Sequence, residues 1–255
     1  MNLRRCFVPL QLLFLLTASL ITTGARPACG QETITLRSGQ TQQITILGTT
    51  ASGIKVQLGD GVMVQPFGNV AQVTMAPPPE FTAAQKAYES GDLKTALSNA
   101  DAVVSNFRGL PTEWAREAML TLGDIYVALN QLPKAQAVYA DFQRAYPAAG
   151  SADINIGLAM IDLSKKDYAA AKARIDPILA QAQALKQRNP PRAASALIGR
   201  AFYVSGQIKE QTGDFPGALE DYLRTVTIYP DDRVAAANAQ NKADSLRKVH
   251  GAAVP

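Results

Sequence analysis

Between Phe81 and Val249 the chain repeats itself, and this narrows its possible folds more than any other feature. Gly91-Asp92-Leu93 precedes Ala96, Gln131-Leu132 precedes Ala135, Asp167-Tyr168 precedes Ala171, and Gly213-Asp214-Phe215 precedes Ala218. These four alanines stand 39, 36 and 47 residues apart. Apolar residues around them recur with a helical rather than an alternating period. A unit of about 34 residues with insertions is the length of a helix–turn–helix pair. One such pair cannot bury its apolar face alone, so about four of them must stack into an array. Asp231 to Val249 reads as a last helix, capped by Asp231 or Asp232 and closed by Arg247 and Lys248 at its negative end. It is polar on one face, as a terminal capping helix must be.

Residues 31–76 follow a different period. Thr33–Arg37, Gln43–Leu47, Ile54–Leu58, Val62–Val64 and Val70–Met75 alternate in steps of two. Ser38-Gly39, Ser52-Gly53, Gly59-Asp60-Gly61 and Phe67-Gly68-Asn69 supply turn chemistry between them. The pattern predicts a five-stranded β module, similar in strand count and spacing to SH3-like or Sm-like barrels. So small a module has little core of its own and is expected to lean on the helices or on another copy. Pro77-Pro78-Pro79, with Glu80, reads as a stiff spacer over residues 77–80, because proline fits neither a sheet ladder nor a helix interior. The fold class expected is α+β, mostly α: a β module, an α-solenoid over residues 81–249 and a short tail, 250–255.

The repeated segment resembles tetratricopeptide repeat (TPR) proteins over roughly two thirds of the chain. The second unit carries the fullest signature, with Leu122-Gly123, Tyr126, Ala135, Tyr139, Phe142 and Pro147. Gly123 and Ala135 are small where two helices cross, the aromatic residues fill the space around the crossing, and Pro147 ends the second helix. The fourth unit matches at Gly206, Gly213, Ala218, Tyr222 and Pro230, and the first at Ala84, Gly91, Ala96 and Ala100 without the closing proline. The third keeps Leu158, Ala159 and Ala171, but Asp162 stands at the usual aromatic position, and its second helix is expected to run to about Arg188. Asn189-Pro190-Pro191 then starts the next helix.

The resemblance implies that the first helix of each pair lines a concave groove for a protein or peptide. That places Phe81, Gln85 and Tyr88 there from the first unit, and Glu117, Leu120, Asp124 and Val127 from the second. Ile156, Met160 and Leu163 follow from the third, and Tyr203, Gln207 and Glu210 from the fourth, with Arg200 at the edge. The mixture suits an apolar helix or an extended peptide. Arg200 alone does not make the carboxylate clamp by which some TPR domains hold chaperone C-termini. The same side chains could instead pack on the β module or on the last helix. Trp114, just after a plausible N-cap at Thr112, is either an anchoring aromatic or a ligand contact.

The first thirty residues read as a cleavable export signal: Arg4 and Arg5, then an uncharged apolar run from Phe7 to Thr22, then small residues at Ala28-Cys29-Gly30. The run is short for a membrane span and contains Pro9 and Gln11, so membrane attachment is expected only through an uncleaved signal, if at all. Arg26 three positions before Cys29 argues against a lipoprotein. Cleavage would remove three arginines and no acid, taking the net charge from +4 to +1. A nucleic-acid role loses its basis, since phosphate binding needs surplus Lys and Arg. Both cysteines, Cys6 and Cys29, would leave with the signal, excluding disulfides and thiolate metal sites.

The inventory for catalysis is poor. His250 is the only histidine and sits near the chain end, no phosphate-binding loop or EF-hand is present, and Asp162 and Asp167 read as solvated or capping residues. The expectation is a periplasmic or secreted, non-enzymatic scaffold without cofactor or metal; the resemblance to TPR proteins of bacterial envelopes implies a protein or peptide partner in the cell envelope. The alternative is a self-assembling protein, a homo-oligomer formed through the β module; an enzyme with an unrecognised carboxylate site is a third reading.

Overall fold

The computed structural model describes residues 32–147, 149, 152–185 and 190–251. The expected export signal, with both cysteines, lies outside them, as do tail residues 252–255. Among the described residues six strands come first: β1 (Thr33–Leu36), β2 (Thr41–Gln43), β3 (Thr45–Thr49), β4 (Gly53–Leu58), β5 (Gly61–Pro66) and β6 (Val70–Thr74). They form two antiparallel three-stranded sheets, ordered β2-β1-β6 and β3-β4-β5. The sequence reading of five strands therefore needs correction. The run Gln43–Leu47 is not one strand, because the chain leaves the first sheet at Gln43 and enters the second at Thr45. At that bend the Ile44 N–H donates to the Glu32 carbonyl (3.1 Å) and the Ile46 N–H to the Glu32 carboxylate (2.5 Å).

Nine helices follow among the described residues: α1 (Pro79–Glu89), α2 (Leu93–Phe107), α3 (Glu113–Ala128), α4 (Leu132–Ala145), α5 (Ala152–Ser164), α6 (Tyr168–Ala184), α7 (Arg192–Gln211), α8 (Phe215–Thr227) and α9 (Arg233–His250). The proline spacer is shorter than expected, since Pro79 already occupies the first turn of α1, where a missing N–H costs nothing. α1 packs on α2, α3 on α4, α5 on α6 and α7 on α8. Each pair keeps one register. Ala84, Gly123, Ala159 and Gly206 each stand 12 residues before Ala96, Ala135, Ala171 and Ala218, and all eight are buried.

The turn inside each pair is the same device four times. One residue takes a left-handed backbone: Gly91 (φ 79°), Asn130 (φ 55°), Lys166 (φ 63°) and Gly213 (φ 86°). The next N–H, of Asp92, Gln131, Asp167 or Asp214, reaches back 2.8–2.9 Å to the carbonyl of Ala87, Tyr126, Asp162 or Lys209. That bond satisfies a carbonyl the ending helix would otherwise orphan. Asp92, Asp167 and Asp214 then cap the following helix by accepting from the N–H of Thr95, Ala170 and Gly217 at 3.1, 3.0 and 3.0 Å.

The strands and the first helices share one core. Ile34, Ile46, Ile54, Val56, Val70 and Val73 pack with Phe81, Val103, Leu110, Trp114, Ala115 and Ala118. β3 also closes the end of α2: Thr49 Oγ1 donates to the carbonyls of Arg108 (2.8 Å) and Asn106 (3.3 Å). A Cβ at Gly48 would stand 2.8 Å from the Asn106 carbonyl oxygen, so only glycine lets the strand approach this closely. Trp114 is an anchor: its indole N–H donates to the Met75 carbonyl (3.0 Å), and its ring lies 6.2 Å from Phe81 and 5.3 Å from Phe107. The β module thus leans on the helices.

Candidate functional site

The first helices of the pairs lie side by side, α1 on α3, α3 on α5 and α5 on α7. α9 packs on α7 and α8 and reaches α1, so the row closes into a ring. The ring surrounds a partly open pocket of about 40 Å³, bordered among others by Tyr88 of α1, Asp124 of α3, Met160 of α5, Tyr203 of α7 and Asn238 of α9. A cavity of that size holds a water or two and no peptide.

A charged chain crosses the interior. The Tyr139 hydroxyl, from α4, donates to Asp124 Oδ1 (2.7 Å), and Arg200, from α7, donates to Asp124 Oδ2 (2.7 Å). On its other side the Arg200 Nε lies 3.7 Å from Asp232. Asp232 serves twice, because its second oxygen caps α9 by accepting from the Ala235 N–H (2.8 Å). Burial pushes the Asp124 carboxyl above its ordinary range, against the pull of Arg200 and Tyr139. Burial works against the Arg200 charge as well, but Asp124 and Asp232 outweigh it and hold the guanidinium protonated. Burial, followed by the Asp124 charge, raises both the Tyr88 and the Tyr139 phenols. Each charge in the seam therefore depends on its partners, and the seam ties α3, α4, α7 and the start of α9 together.

No family model, curated protein or solved structure matches the chain.

Of the expected groove residues, the structure gathers Tyr88, Asp124, Ile156, Met160 and Tyr203 at the cavity. Phe81 is not with them: it is buried in the core shared with the strands, one of the two packings the sequence left open. Gln85 donates to Glu117 (2.7 Å) on the helix surface, and Glu117 is pushed up by partial burial against that bond. Leu120 and Val127 belong to the cluster around Tyr139 and Phe142, and Leu163 packs with the cluster containing Ile156 and Ile175. Gln207 donates to the Tyr203 hydroxyl (3.2 Å). Glu210 accepts from Tyr222 (2.6 Å) and Lys242 (3.1 Å), which ties it to α8 and α9.

Two residues mattered more than the sequence suggested. Arg200, placed at the groove edge, stands at its centre, and Asp232, read as a helix cap, is also a counterion. The signal for Arg200 was there: it is the lone charge in the otherwise uncharged run Ala193–Ile208, a position that demands a buried partner. Asp162 pairs with Arg174 (2.6 Å), and His250 stacks on Phe215. Among the described residues no helix is long and apolar enough to cross a membrane, and no group of three His, Cys, Asp or Glu could hold a metal ion.

Proposed function

We propose that the chain is an exported, non-enzymatic adaptor of the TPR type that holds a protein or peptide partner of the cell envelope at the face formed by α1, α3, α5 and α7. Four helix pairs with one register and one turn support the repeat assignment. The observation that carries the binding reading is α9 itself. A helix of this chain already rests against the side chains expected to receive a partner, with an acid at its start set on Arg200 and Val234 and Ala235 beside the apolar wall. The partner chemistry that fits is therefore a helix or extended segment with an acidic group ahead of small apolar residues. It engages the mouth of the ring beside α9, or takes the place of the first turn of α9.

Photo-cross-linking residues placed at Gln85, Asn238 and Lys172 test this in cells. Asn238 borders the cavity, and Gln85 stands three residues before Tyr88 on α1, bonded to Glu117 of α3; Lys172 is exposed on α6, paired with Asp176. One partner captured from both Gln85 and Asn238 and not from Lys172 supports the adaptor reading. Capture from Lys172 alone, or from none of the three, overturns it.

A further inference from the structure

β5 is an open sheet edge of unusual composition. It pairs with β4 on one side only, at the end of the order β3-β4-β5. Its sequence, Gly-Val-Met-Val-Gln-Pro, contains no charge. Val62, Met63 and Val64 are 56%, 47% and 42% exposed, and Leu58 on the neighbouring strand is 47% exposed. Natural sheets guard free edges with charges, prolines, bulges or covering elements; among the described residues β5 carries no charge and no bulge, and its proline, Pro66, stands only at its end.

The backbone shows which groups the edge offers. Leu58 pairs with Gly61 across the two-residue loop Gly59-Asp60, whose first residue has φ 58°. In such a hairpin the residues flanking the loop exchange hydrogen bonds, and every second pair does so after them. Val56–Met63 and Ile54–Gln65 are thus the bonded pairs, while Lys55–Val64 and Gln57–Val62 are not. The N–H and C=O groups of Val62 and Val64 therefore point away from β4, to the open side. Pro66, opposite Gly53, falls in the same outward register, where its missing N–H costs the sheet nothing.

We propose that two copies of this chain pair antiparallel through β5, with Val62 of one opposite Val64 of the other and Met63 opposite Met63 at the two-fold axis. This register satisfies the outward groups of both valines in both strands, because each valine meets the other's equivalent. One face of the joined sheet then carries Val56, Met63 and their copies in a row, extending the apolar surface that begins at Ile54 and covering the exposed Met63. Gln65 faces Gly61 of the other copy, which has no side chain to obstruct it. The nearest like charges in the joined sheet, the two Lys55 side chains, are three strand spacings apart and offset by two residues, about 16 Å, beyond the screening length in physiological salt. With no charge on either strand, a second copy meets no like-charge repulsion along β5.

Light scattering on the purified full chain tests this, with Val64→Pro and Val64→Lys variants beside the wild type. Val64→Pro removes an N–H that the single chain does not use, and Val64→Lys adds a charge to an exposed position. Both are expected to stay folded, and to melt like the wild type at concentrations too low for pairing. The wild type is expected at twice the mass of one chain and both variants at the single mass. In a chain with Cys6 and Cys29 changed to serine, Met63→Cys is expected to form a disulfide-linked dimer under mild oxidation. A wild type that stays monomeric at about 100 μM, and so pairs with a Kd weaker than roughly that value, overturns the proposal, as does a dimer that survives in Val64→Pro.

Discussion

In the second helix pair Tyr139 lies over Gly123 and donates its hydroxyl to Asp124; in the fourth, Tyr222 lies over Gly206 and donates to Glu210. Both tyrosines stand four residues after the packed alanine of their pair, Ala135 and Ala218. The repeat register thus fixes where a phenol emerges, and each phenol finds a carboxylate. The carboxylates differ in what answers them. Asp124 is buried and matched by Arg200 from two pairs further on, whereas Glu210 is matched by Lys242 on α9, whose side chain is 38% exposed. A shared packing solution therefore yields an interior cross-tie in one place and a half-solvated link in the other.

The sharpest way to break this comparison is to remove the two cations. Arg200→Ala leaves a buried carboxylate uncompensated and is expected to cost about 3–5 kcal/mol. Lys242→Ala is expected to cost under about 1 kcal/mol, because water can take the place of the ammonium. Urea unfolding of the two variants measures both, and equal costs would erase the distinction between interior and surface.

Next come the two glycines. A Cβ at Gly123 or Gly206 falls inside the van der Waals shell of Tyr139 or Tyr222, so Gly123→Ala and Gly206→Ala are each expected to cost about 1–3 kcal/mol. Gly123→Ala is expected to be the worse, because Gly157 presses the Tyr139 ring from its other side and leaves it nowhere to move. A Tm for Gly123→Ala at or above that of Gly206→Ala would show that the ring yields.

The turns give a smaller contrast. Lys166 holds a left-handed backbone that Gly213 adopts in the fourth pair without a Cβ penalty. Lys166→Gly is expected to stabilise and Gly213→Lys to destabilise, each by about 1 kcal/mol, read from thermal melts. A loss of stability in Lys166→Gly would mean that the lysine stem contributes more than the backbone costs.

The last contrast shows only in alkali. Burial, helped by Glu210, pushes the Tyr203 phenol up to about 12. An unfolded tyrosine titrates near about 10. The folded value lies above the unfolded one, so this contribution to stability is intact below about pH 10 and drains away as pH rises toward 12. Tyr203→Phe is expected to flatten the fall in stability across that window, measured by urea titration at several pH values. Parallel curves for variant and wild type would show that the phenol is solvated.

The helix pairs could be read from the sequence because their constraint is local. A crossing admits only a small side chain, so Ala96, Ala135, Ala171 and Ala218 mark it. The strand count failed where a single run, Gln43–Leu47, keeps its alternation straight through the bend at Ile44, since alternation records which face a residue takes and not which sheet it joins. The helical pattern puts Phe81 on the groove face, but the surface it packs on comes from strands whose packing that pattern does not contain. The ring was out of reach for the same reason. Asp232 meets every local requirement of a helix cap, and nothing near it in the chain announces that its other oxygen faces Arg200.

Asp124 and Arg200 are separated by 76 residues of chain. A row of helix pairs ordinarily assembles neighbour by neighbour, and its tips can fray independently. Here the second pair holds a carboxylate whose counterion arrives only with the fourth, and the helix that shuts the ring comes later still. The contact adds a long-range tie to an otherwise local fold, and Asp124 lacks its counterion until the fourth pair is in place. Once closed, the first and last helices are bound to a common fate: unfolding that starts at either tip exposes the charge in the middle, and the array comes apart as one cooperative body.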